Sequence, residues 1–216
     1  MNEKSWLDQY PEGVPAEIDM TEFSSVVDIF DQSCQRFGPN QAYTNFGKSI
    51  TYADVDRQSK AFGAYLQSLG LERGDRVAIM MPNLLQYPIA LFGILRAGLV
   101  VVNTNPLYTA RELKHQLNDS GAKAIVVLEN FAHTLQSVLE DSPVEHVFVT
   151  GVGDMLGFPK GTLINFVLRY VKKEVPGFSI PGAKRFSEAL SAGASMNMNA
   201  PEMGHDDIAF LQYTGG

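Results

Sequence analysis

The 216 residues are 45% hydrophobic and carry a net charge of −7; this is enough apolar content to fill the core of one large domain or two small ones, and too acidic a balance for nucleic acid, whose binding rests on basic surface neutralising phosphates. A single cysteine excludes an intrachain disulfide, and no window approaches the roughly 18 uninterrupted apolar residues of a spanning helix. The opening MNEKSWLDQYPEGVP is polar and acidic with no apolar signal segment, so a soluble, cytoplasmic protein is expected.

After an extended opening, Ser25 and Asp28 read as a helix cap, and Val26, Phe30, Cys34 and Phe37 recur at helical spacing until Gly38 and Pro39 stop them. Cys34 on that stripe is expected to be a small core thiol, since nothing nearby would lower its pKa. AYTNFGKSITY reads as a hairpin with Gly47 in its turn. Thr51 and Asp54 form a capping box, and Val55, Phe62, Leu66 and Leu69 line a helix closed by Gly70.

The period then changes. RVAIMMP is a continuous apolar run ended by Pro82, the pattern of a strand buried on both faces. LLQYPIALFGILRAG is helical, LVVVN is a strand, TARELKHQLNDSG is a helix capped by Thr109 and Glu112, and AKAIVVLE is a strand. A further helix is expected from Asn130 through Leu139, then the strand HVFVTG. Strands alternating with helices imply right-handed crossovers and an α/β fold, with a mainly parallel sheet flanked by helices.

TLINFVLRYVKKEV is apolar on most of its circumference yet ends in Arg169, Lys172 and Lys173. It lies in the stretch Gly151–Leu190, which carries six basic residues against three acidic ones and leaves the remainder of the chain at −10. Such a helix could lie against a membrane surface or a fatty ligand, but it fits a packed helix whose lysines complement the C-terminal dipole better. FSEALSAGASM reads as a short helix, and IAFLQY as a closing buried strand.

Ligands of an open parallel sheet bind beyond the carboxyl ends of its strands. The terminal LQYTGG therefore places a hydroxyl, Thr214, and two unobstructed backbones, Gly215 and Gly216, where a phosphate chain could be cradled. Taken alone, the pattern fits an ordinary tight turn better. His115, His133, His146 and His205 have no metal-site spacing and read as surface residues, and Asp206 and Asp207 as loop or capping groups. No catalytic residue and no metal ligand is expected within these residues.

Three segments carry a resemblance. ITYADVDRQSKAFGAYLQSLGLERGDRVAIMMPN, ALFGILRAGLVVVNTNPLYTARELKHQLNDSGAKAIVV and DDIAFLQYTGG look like successive signatures of the AMP-forming, adenylate-forming enzymes, in order and suitably spaced. WLDQYPEGVPAEID, MMPNLLQYPIALFGILRAG and NTNPLYT resemble the bacterial long-chain fatty acid CoA ligases within that superfamily. The family's phosphate loop has the form Tyr-Thr-(Ser or Gly)-Gly-Thr-Thr-Gly, continuing to Lys-Gly. Tyr213, Thr214, Gly215 and Gly216 match its first four positions, with Gly215 as in the long-chain bacterial branch.

The resemblance implies that residues 1–216 are a partial N-terminal AMP-binding domain, interrupted within the phosphate loop. It implies ATP and Mg as cofactors, and a long-chain fatty acid and CoA as partners. The activity implied is acyl-adenylate formation followed by acyl transfer to CoA, absent from this stretch alone. Peripheral contact with the inner face of the cell membrane and a homodimer are implied for the whole enzyme. The competing reading is a self-contained nucleotide- or membrane-surface-binding module without catalysis.

Overall fold

The computed structural model describes residues 4–214. Helix α1 (Val26–Phe37) begins where the Ser25 hydroxyl accepts the Asp28 N–H. A hairpin follows, β1 (Gln41–Asn45) and β2 (Lys48–Thr51), antiparallel and closed by Phe46 (φ 48°) and Gly47 (φ 70°). Two consecutive positive φ values define the hairpin turn whose twist suits its strands, and glycine carries one of them without strain. The capping box of Thr51 and Asp54 opens α2 (Tyr52–Ser68).

The central sheet has six parallel strands in the order β7-β6-β5-β3-β4-β8. They are β3 (Arg76–Met80), β4 (Val100–Asn103), β5 (Ala122–Leu128), β6 (His146–Thr150), β7 (Lys184–Arg185) and β8 (Phe210–Gln212). Helices α3 (Gln86–Arg96), α4 (Ala110–Ser120), α5 (Ala132–Gln136), α6 (Lys160–Phe166) and α7 (Phe186–Gly193) lie in the connections. Alternate residues of the strands feed two cores. Val77, Ile79, Val101, Val126 and Phe148 pack with α1, α2, α3 and α7, whereas Ala78, Met80, Val102, Val127 and Val149 pack with α4 and α5. Burial on both faces is why these strands read as unbroken apolar runs.

Several expectations are corrected. The helix expected over 130–139 is broken into a 3-10 turn (Glu129–Phe131), α5, and a second 3-10 turn (Leu139–Asp141). The expected opening extension contains a 3-10 helix, Ser5–Gln9. The closing strand is shorter than IAFLQY; among the described residues it pairs only with β4, and Phe210 is 37% exposed. Helix α6 gives way to a π-helical turn, Val167–Val171, so Lys172 and Lys173 lie beyond it. Of the stripe on α1, Phe30 and Cys34 are buried, while Val26 stays largely exposed.

One buried charge joins three helices of the first layer. The Arg96 side chain, at the end of α3, is 1% exposed. Its guanidinium donates to the Asp31 carboxylate on α1, and to the Asp56 carboxylate (2.6 Å), the Asp56 carbonyl (2.9 Å) and the Ser59 hydroxyl (2.7 Å) on α2. It also lies 4.7 Å from the centre of the Phe30 ring, which stacks on Phe92. A buried cation is tolerable only when its donors are satisfied in this way. Arg96→Met is expected to cost about 3 kcal/mol in urea denaturation, against about 0.5 kcal/mol or less for Lys60→Met, which removes an exposed partner of the same Asp56. Equal losses for the two variants would show that Arg96 is not the staple.

Candidate functional site

Because all six strands run the same way, their carboxyl ends share one rim. At that rim β3 leads through Met81 towards α3 on one face, and β4 leads through Asn103 towards α4 on the other. Connections that diverge to opposite faces leave a crevice between them, the switch point at which open α/β sheets bind ligands. A polar cleft of about 330 Å³ occupies this position, lined among others by Asn83, Tyr87, Asn103, Tyr108, Gln212 and Tyr213.

A chain of side-chain hydrogen bonds organises the cleft. The Tyr87 hydroxyl donates to Asn103 Oδ1 (2.8 Å), and the Asn103 amide donates to Gln212 Oε1 (2.9 Å). The buried Gln116 amide on α4 donates to the Asn103 carbonyl (2.9 Å). Three elements are thereby fixed relative to β8. Burial pushes the Tyr87 phenol up, opposed by its bond to Asn103, so it acts as a neutral donor.

Parallel pairing of Val101, Val102 and Asn103 with Phe210, Leu211 and Gln212 sets where β8 delivers the next residues. Tyr213 turns towards α4, where its hydroxyl donates to the Asp119 carboxylate at 2.6 Å. Burial first, and the facing carboxylate second, push the phenol up to about 12. Thr214 follows, exposed, at the carboxyl rim. The structure thus brings Tyr213 and Thr214 to one edge of the cleft, while Gly215 and Gly216 lie outside the described residues.

A second cluster sits at the ends of β5 and β6. Glu129, 2% exposed, takes Arg169 at 2.5 Å and Arg185 at 3.4 Å, and Arg185 also reaches Asp154 at 2.7 Å. The buried Gln86 amide donates to the Thr150 hydroxyl (3.2 Å) and the Gly151 carbonyl (2.8 Å). Every charge here has its partner, so the cluster pins the loops after these strands. It also accounts for two of the six cations in the basic stretch. Asp207, expected to serve a loop or cap, does so: it accepts the Gly204 N–H and holds Arg73. His115, His133 and His205 are exposed and His146 is half-buried. Among the described residues, no three His, Cys, Asp or Glu side chains gather in a metal-holding group. Burial pushes the Cys34 thiol up, as expected of a core cysteine.

Sequence reasoning missed Tyr87, Asn103, Asp119 and Gln212. A signal existed for two of them: VVVN and FLQ are apolar strand runs that end on an amide side chain, which a switch point would use.

Residues 30–216 match the family described as AMP-binding enzyme. The chain is 55% identical over 214 residues to a long-chain-fatty-acid–CoA ligase of Escherichia coli O157:H7, covering 99% of this chain and 38% of that protein. It is 33% identical to the ligase of the same name from Bacillus subtilis, over 100% of this chain and again 38% of the relative. The chain therefore spans less than two-fifths of the length of the relatives it matches. Among solved structures, an anthranilate CoA ligase in complex with anthranoyl-AMP superposes with a TM-score of 0.72 at 18% identity, over 92% of this chain and 33% of that one. A long-chain-fatty-acid-CoA ligase from Archaeoglobus fulgidus gives 0.69 at 24%, over 96% and 37%. Both likenesses concern the fold.

The Tyr213 geometry has a measurable consequence. A phenol held above its ordinary value contributes stability that is whole below pH 10 and is lost as pH rises through about 12. The Tyr213 ζ-carbon resonance, assigned by its loss in Tyr213→Phe, should still be that of a protonated phenol at about pH 10.5, and should titrate lower in Asp119→Asn. Half-ionisation at or below pH 10 would contradict the burial and the carboxylate contact.

Proposed function

The chain belongs to the AMP-binding enzyme family, and from that premise we propose that it serves a ligase that activates long-chain fatty acids with ATP and passes the acyl group to CoA. In the first step a carboxylate oxygen attacks the α-phosphorus of ATP and pyrophosphate leaves, giving an acyl-adenylate. In the second the CoA thiolate adds to the acyl carbon and AMP leaves. On this reading residues 1–216 are the N-terminal part of the AMP-binding domain. ATP, the fatty acid and CoA are its small-molecule partners, and Mg is a cofactor. The working place is the cytoplasm, with peripheral contact at the inner face of the cell membrane and a homodimer in the whole enzyme.

The observation that carries the reading is the delivery of Thr214 by β8 to the carboxyl rim of a parallel sheet, beside a polar cleft. The exposed Thr214 hydroxyl and the N–H groups of Gly215 and Gly216 would receive phosphate oxygens. Donors fixed before the reaction stabilise charge that builds on those oxygens without reorganising. Tyr213 would set the loop's starting direction, since its bond to Asp119 ties the residue before Thr214 to α4. Among the described residues no group of His, Cys, Asp or Glu side chains is suited to hold Mg. A module that binds nucleotide without catalysis would share the loop but release no pyrophosphate.

The full-length protein, given ATP, palmitate and CoA, should form AMP and pyrophosphate only when the fatty acid is present. Thr214→Ala should lower kcat/KM for ATP by about 100-fold, the scale of losing one such donor. The 216-residue chain alone should give no turnover. Release of ADP, turnover independent of fatty acid, or an unaffected Thr214→Ala would each defeat the proposal.

A further inference from the structure

A helix on a protein surface ordinarily turns its apolar stripe inward and its polar side to water. Helix α6 and its π turn carry a second apolar face that points outward. On the inner side Ile164 packs against the core, and Gly161 lies so close to Gly153 that a Cβ there would fall on the Gly153 carbonyl oxygen. Asn165 accepts the Gly153 N–H at 2.7 Å and donates to Asp154 at 2.8 Å. The outer side carries Leu163, Phe166, Tyr170 and Val171, exposed by 62%, 54%, 62% and 66%. Positions 163, 166 and 170 share one helix face, and the Phe166 and Tyr170 rings lie 5.1 Å apart. The wider π turn lets the adjacent Tyr170 and Val171 both face outward. Phe46, at the hairpin tip, adjoins this surface because the Lys160 ammonium bonds to its carbonyl.

The charges around this surface point to its occupant. With Arg169 paired to Glu129, Lys160, Lys172 and Lys173 stand around this surface against Glu174, which lies 3.7 Å from Lys172, a local excess of +2 in a chain of −7. Apolar side chains ringed by cations, on an element too short to span a bilayer, match what lies in the interface of an anionic membrane, rings and aliphatics among the acyl chains and cations at the headgroups. A second copy fits poorly, since a two-fold contact would set these cations against themselves. We propose that α6 and its π turn dock this protein on an anionic lipid bilayer. The proposal gives the peripheral contact a surface, yet holds whether or not the ligase reading does.

The test uses the full chain with an environment-sensitive fluorophore on Thr162→Cys, beside the patch but outside it, and on Glu140→Cys across the sheet as a control. The native Cys34 is 9% exposed and stays unlabelled. With vesicles of phosphatidylcholine and phosphatidylglycerol, emission from position 162 should shift to the blue, and that from position 140 should not. Pure phosphatidylcholine should give little shift, and raising salt from about 0.1 to 0.5 M should weaken binding. Phe166→Asp with Tyr170→Asp should lower the vesicle-bound fraction about tenfold or more, with an unchanged circular dichroism spectrum. The proposal is overturned by no association, by equal shifts at both labels, by a double variant that binds like the parent, or by a shift at position 162 that needs only higher protein concentration or an added protein.

Discussion

Six strands hydrogen-bonded in parallel cannot be joined by tight turns, and this one constraint arranges nearly everything else. Each connection must cross a face of the sheet, so both faces are covered, the strands become apolar throughout, and every strand delivers its next residue to the same rim. The polar groups of the cleft are possible only there, where the backbone leaves the ladder and side chains can reach water. The register of β8 against β4 is the part of this arrangement that matters most for function, since it puts Gln212 opposite Asn103 and Thr214 beyond both.

Much of this was legible in the chain. Capping boxes at Thr51 and Thr109 and the change from helical period to short apolar runs give most of α1 to α4 and β3 to β6, because those signals are local. What was not legible depends on neighbours. Strand β7 is two residues long and has no period to detect. The 130–139 segment has helical composition but is interrupted by turns that only its packing explains. Strand β8 has the composition of a buried strand and, among the described residues, pairs on one side only. Helix α6 is the clearest case: composition reveals that most of its circumference is apolar, and cannot reveal that Gly161, Ile164 and Asn165 face the protein while Leu163, Phe166 and Tyr170 face outward.

The same limit applies to charge. Counting residues gives a basic stretch, yet Arg169 and Arg185 are paired with the buried Glu129 and with Asp154, and Arg96, inconspicuous in the sequence, is the most deeply buried cation of the first helical layer. Ion pairs of this kind fix how elements sit together more than they add stability. The site depends on that placement, since Glu129 and Gln86 hold the loops beside the rim while contributing nothing to the cleft.

The lone thiol gives the molecule a built-in gauge of one motion. Cys34 faces inward from α1, its sulfur 3.7 Å from the Tyr52 carbonyl, and burial keeps it protonated. A reagent can reach it only when α1 lifts from α2 and α3. The rate of thiol modification under native conditions therefore converts directly into the free energy of that detachment, a partial opening that global unfolding curves average away.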